Sequence, residues 1–69
     1  MEKRIYIEGM SCNHCSMRVE KALKNIDSVK NVKVDLAGKV AIVESEKNIS
    51  DKVIKDIIDE AGYKVVNIE

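Results

Sequence analysis

The chain has 69 residues, in which twelve basic and twelve acidic side chains cancel to zero formal charge, with two cysteines, one histidine and no proline, tryptophan or phenylalanine. A single short domain over residues 1–69 is expected, and at this size about 60% of the unfolded surface is buried, leaving little room for a deep substrate cleft. Zero net charge argues against holding nucleic acid by a strong basic field, and the longest apolar run, Val40-Ala41-Ile42-Val43, is far short of the roughly 20 residues of a membrane span.

Residues 3–8 alternate, with Ile5 and Ile7 on one face and Arg4, Tyr6 and Glu8 on the other, the pattern of a half-buried strand that Gly9 ends. Nothing in this stretch supplies the apolar core of an export signal, so a cytoplasmic location is expected. From Cys15 the period lengthens: Val19, Ala22, Leu23 and Ile26 share one face of a helix that frays near Asn25 to Asp27. Val32, Val34 and Leu36 then point inward along a second strand. Ala37-Gly38 marks a turn, and Val40 and Ile42 continue the inward pattern to about Glu44.

Ser50 and Asp51 read as the N-cap and first turn of a second helix, with Ile49 and Ile54 as a hydrophobic staple. Val53, Ile54, Ile57, Ile58 and Ala61 form its apolar stripe, Gly62 is the expected left-handed end, and Tyr63 to Ile68 make a last strand. The order is βαββαβ. Right-handed crossovers place both helices on one face of a four-stranded antiparallel sheet, an α+β fold of the ferredoxin-like kind.

Between the first strand and the first helix lies Gly9-Met10-Ser11-Cys12-Asn13-His14-Cys15. Two thiols three positions apart form a chelate, and the positive end of a helix favours thiolate, the form that ligates metal. Two soft sulfurs suit Cu(I), which accepts low coordination, whereas Zn²⁺ normally takes four ligands. A bridge across so short a loop is a poor structural staple. His14, held between the cysteines, has difficulty reaching the same ion and reads as a solvent-facing loop residue, with proton donation or a dimer contact as its other readings. Met10 reads as a core residue pinning the loop, or as a thioether ligand. Met17 reads as surface or partial core filling. Tyr63 is either an aromatic cover for the core or a group whose hydroxyl reaches a thiolate. A bare CxxC also fits thiol–disulfide exchange. The absence of proline and the Asn13-His14 pair between the cysteines count against a thioredoxin-like protein.

With these residues in view, the segment resembles the GMxCxxC motif of heavy-metal-associated domains, and the likeness extends over the whole chain to Ala61-Gly62-Tyr63. Within that family the sequence is similar to bacterial copper chaperones, with Ser11 before the first cysteine as in copper-binding members and Tyr63 as in the bacterial branch. The resemblance implies Cu(I) between Cys12 and Cys15, Met10 as a packing residue rather than a ligand, and no enzymatic activity. Cys12 is expected to be the more exposed sulfur and Cys15 the more fixed. It further implies a partner that takes the copper: the metal-binding domain of a copper-transporting P-type ATPase, or a copper-responsive transcription regulator. Arg18, Lys21 and Lys24 are candidate docking charges. A monomer is expected without metal, and an exposed two-coordinate ion admits a copper-bridged dimer. The alternatives are an excised amino-terminal domain of such an ATPase, a mercury- or zinc-binding relative, and a small dithiol oxidoreductase.

Overall fold

The computed structural model describes residues 1–10 and 13–69. Six elements follow in chain order: β1 (Glu2–Glu8), α1 (Asn13–Lys24), β2 (Val29–Asp35), β3 (Val40–Ser45), α2 (Asp51–Glu60) and β4 (Lys64–Ile68). The strands form one sheet in the order β2-β3-β1-β4, and every neighbouring pair is antiparallel. Because β3 lies between β1 and β2, the two βαβ halves interlock. The fold is ferredoxin-like.

Ile5, Ile7, Val32, Ala41 and Val43 from the sheet share one buried cluster with Val19 and Leu23 of α1 and Ile54 and Ile58 of α2. Both helices therefore cover the same face of the sheet. At about 25 cal/mol per Å² of apolar surface, each fully buried aliphatic side chain here contributes roughly 1.5–3 kcal/mol relative to exposure.

The facing of β3 departs from the sequence reading. Ala41 and Val43 are buried and Val40 and Ile42 are not. Directly opposed residues in a sheet share a face. Asp35 stands opposite Val40, whereas the inward Val34 and Val32 stand opposite Ala41 and Val43. The four-residue run 40–43 is apolar at both parities, so alternation alone could not choose between them. The turn falls where Ala37-Gly38 marked it, and its left-handed residue is Lys39, with φ 54°. Gly38 N–H donates to Asp35 Oδ1 at 3.2 Å and Lys39 N–H to Leu36 O at 3.3 Å, which closes the turn.

α2 begins as expected. Ser50 Oγ accepts from Lys52 N–H at 3.2 Å, Asp51 occupies the first turn, and Ile49 and Ile54 are both in the core. Its buried stripe is narrower than its apolar spacing indicated, since Val53 is 43% exposed and only Ile54 and Ile58 are fully enclosed. On β4, the register against β1 shifts between Tyr6 and Ile7: Asn67 pairs with Tyr6 and Val65 with Ile7. Val66 is the extra residue of that bulge and stands out in solvent.

Candidate metal centre

Three connections meet at the end of the sheet where β1 finishes: the segment after Glu8, the hairpin before Val40, which pairs with Tyr6, and the turn before Lys64, which pairs with Glu8. Gly9 leaves β1 with φ +96°, a conformation that a Cβ would strain. Met10 is 3% exposed and belongs to the core cluster, so it anchors the start of the segment by packing. Ser11 and Cys12 lie outside the described residues.

α1 starts at Asn13, two residues before the point at which its apolar period becomes visible, because Asn13 and His14 are both exposed and leave no mark on the pattern. His14 is thus on the first turn of the helix rather than in a loop, and it faces solvent as expected. Among the described residues no group of three His, Cys, Asp or Glu side chains is arranged to hold a metal ion. Met17 is 63% exposed.

Cys15 sits on the first turn of α1, partly buried and packed against the core. That turn contains no acidic residue, so no side-chain carboxylate offsets the positive helix end near Cys15, while Lys21 and Lys24 in the last turn stabilise the negative end.

Tyr63 arrives from α2. Gly62 has φ +95°, Gly62 N–H donates to Asp59 O at 3.0 Å and Tyr63 N–H to Ile58 O at 3.1 Å, the paired bonds of a Schellman end. This turn aims the ring at the start of the candidate metal segment, where a Cβ on Gly9 would lie 3.6 Å from Tyr63 Cδ1. Hydrogen-bonding interaction with Cys15 raises the pKa of the Tyr63 phenol above its ordinary value, desolvation and the charge of Cys15 add to the rise, and Arg18 opposes it. Of the two readings of Tyr63, the core-packing one is seen directly, since the ring lies against the buried cluster.

Arg18 was legible only as a surface charge. The i, i+3 spacing puts it on the same side of α1 as Cys15. Of the other docking charges, Lys24 pairs with Glu20 at 3.2 Å, one helical turn away, while Lys21 joins Arg18 on the rim of a shallow depression bordered by Ala22, Asn25 and Ala61.

The model of the heavy-metal-associated domain matches residues 4–64, from the middle of β1 to the start of β4. The chain belongs to the heavy-metal-associated domain family. Among similar heavy-metal-associated proteins is the copper chaperone CopZ of Staphylococcus aureus, 43% identical over 61 residues that cover 87% of this chain and 90% of the relative. The solved structure of a CopZ metallochaperone superposes with a TM-score of 0.88 at 37% identity, covering 96% of this chain and 100% of the other. A copper-binding domain from a P-type ATPase gives a TM-score of 0.84 at 33% identity, over 100% and 99% of the two chains. The chain is CopZ-like within this family, and the matched region contains the whole Gly9–Cys15 segment together with Tyr63. No helix among the described residues is long and apolar enough to cross a membrane.

Proposed function

We propose that this chain is a copper carrier: it binds Cu(I) through the thiolates of Cys12 and Cys15 and passes the ion to a partner by exchange of sulfur ligands. The observation that carries this reading is the setting of Cys15, on a first turn of α1 that is free of acidic residues, where its interaction with the Tyr63 hydroxyl raises the phenol pKa. Both the helix end and the hydroxyl favour a sulfur that bears negative charge, as a soft metal requires. The likeness to CopZ chaperones and to the copper-binding domain of a P-type ATPase supports copper as the metal.

In this reading residues 1–69 act as one domain in the cytoplasm and the protein is not an enzyme, since its task is to hold and release an ion. A partner thiolate approaches the open side of the two-coordinate ion, a three-coordinate intermediate forms, and one of the original sulfurs leaves. Each step exchanges similar bonds, so transfer is fast while the unbound ion stays scarce. The partner is a copper-transporting P-type ATPase domain or a copper-responsive regulator, and Arg18 and Lys21 are the charges left to meet it. Exposed ion pairs contribute only about 0–1 kcal/mol each, which suits a short-lived complex. Met10, Ser11 and His14 support the segment rather than ligate. Without metal the chain is a monomer, and copper shared by two chains makes a dimer with four sulfurs.

Anaerobic titration of the reduced protein with Cu(I) against a strong chelator tests the reading. Cys12→Ser and Cys15→Ser should each weaken copper retention by more than the roughly 10–100-fold that loss of an outer-shell partner costs, because a ligand itself is lost. Parent-like retention in either variant would overturn the two-thiolate site. The similarity to an ATPase domain favours one further reading, in which the same site senses copper within a transporter. Efficient copper transfer from the reduced protein to a separate acceptor domain supports the carrier.

A further inference from the structure

β4 is the last strand of the sheet, with β1 on one side and, among the described residues, no strand on the other. On its helix side lies an open groove lined by Lys55, Asp56, Asp59 and Val65, and on the outer face Val66 rims a hollow with Tyr6 and Gly38. Edge strands are ordinarily blunted by charged side chains and by bulges. β2, the opposite edge, carries Lys30, Lys33 and Asp35. β4 carries Lys64 alone, and sets Val66, 65% exposed, at its middle.

The bulge of β4 decides what this edge can pair with. Val65 stands opposite Ile7 and Ile68 opposite Ile5, so both face the core. Lys64 stands opposite Glu8, and Glu69 is bonded through its backbone to Arg4, so both face outward. In a regular strand, residues an odd number of positions apart point to opposite faces. The extra residue brings Val65 and Ile68 to one face and Lys64 and Glu69 to the other. An antiparallel second copy then matches the edge in one register, with Lys64 opposite Glu69 of the second copy and Val65 opposite its Ile68. A two-fold axis between Val66 and Asn67 repeats each contact, so the two charge pairs and the two apolar pairs form together. One Glu69 carboxylate oxygen accepts from the Tyr6 hydroxyl at 3.2 Å, which leaves the other for lysine.

We propose that the β4 edge is a self-association surface: two copies pair β4 with antiparallel β4 in this register and form one continuous sheet with the helices of both on one face. A strand of five residues buries far less than the roughly 1,200–2,000 Å² of a stable interface, so pairing belongs to high protein concentration and dilute protein remains monomeric. The two ends at which β1 finishes lie at opposite ends of the paired sheet. The association therefore needs no copper and differs from a dimer that shares the ion.

Sedimentation equilibrium of the reduced, metal-free protein, from micromolar to millimolar concentration, reads the pairing. The parent should show a monomer–dimer equilibrium. Val66→Lys changes an exposed position, sets two ammonium groups beside the axis and should weaken the dimer about tenfold. Lys64→Glu should do the same, because like charges then stand opposed in both pairs, and adding Glu69→Lys should restore the parent value. In a mixture of labelled and unlabelled chains, filtered NOE spectra should join Val65 of one copy to Ile68 of the other. A parent that stays monomeric throughout, or a dimer that neither single change weakens, overturns the proposal. So does a Lys64→Glu loss that Glu69→Lys leaves unrepaired, or a dimer without the Val65–Ile68 contact. A dimer that forms only with Cu(I) and survives Val66→Lys is the copper-shared pair and counts against the edge.

Discussion

The entrances of the two helices are built from the same βαβ plan and do opposite things. α2 is closed on itself: Ser50 caps it, Asp51 meets its positive end, and Lys3 of β1 reaches over to bond Ile49 O at 2.6 Å and Asp51 Oδ1 at 2.8 Å. α1 has no carboxylate in its first turn and presents Cys15 there instead. The contrast shows that one structural unit carries a cap and a carboxylate in one half and a cysteine in the other, where the proposed carrier role calls for an anionic sulfur. A carboxylate at the entrance of α1 would compete with the thiolates for the same favourable field.

Three changes separate the two entrances further, in order of expected effect. Ile54→Ala empties a fully buried site under α2 and should cost about 2–5 kcal/mol. Since the total stability of a domain this size is only about 3–10 kcal/mol, denaturant unfolding of the reduced protein will show a large loss. Copper retention by the folded fraction should stay near that of the parent, and a parallel collapse of copper binding would mean the two entrances are not separable. Ser50→Ala removes the cap alone and should cost about 1 kcal/mol in the same unfolding experiment, again without weakening copper. Asn13→Asp gives α1 the acidic first turn that α2 already has. At neutral pH the metal-free protein should gain about 0.3–1 kcal/mol while Cu(I) retention falls, and a rise in both would refute the view that the entrance is kept free of acid for the metal.

Much of the architecture was readable from spacing. Ile5 and Ile7, the Val19 and Leu23 pair, Ser50 with Ile49 and Ile54, and Gly62 all occupy the roles their patterns indicated, because each is fixed by local geometry. The face of β3 was not readable, since Val40 to Val43 are apolar throughout and only pairing with β1 and β2 distinguishes them. Val53 was read as buried because it falls on the apolar stripe. It is 43% exposed because the stripe of α2 is wider than the sheet and α1 can cover.

The metal centre divides in the same way. Residue types and their separation along the chain offered packing as one reading of Met10, a helical period from Cys15 and a solvent-facing His14, and the structure bears each of these out. Tertiary structure alone decided that Tyr63, 54 positions beyond Gly9, lays its ring against the start of the candidate metal segment. The reason is physical: a capping turn or an amphipathic stripe is fixed within a few bonds, whereas the placement of the Tyr63 ring depends on a helix end from the other half of the fold. The composition that first excluded a deep cleft thus acquires a sharper meaning. So small a core offers no deep cleft, and the proposed chemistry falls to side chains that the sheet gathers at one end.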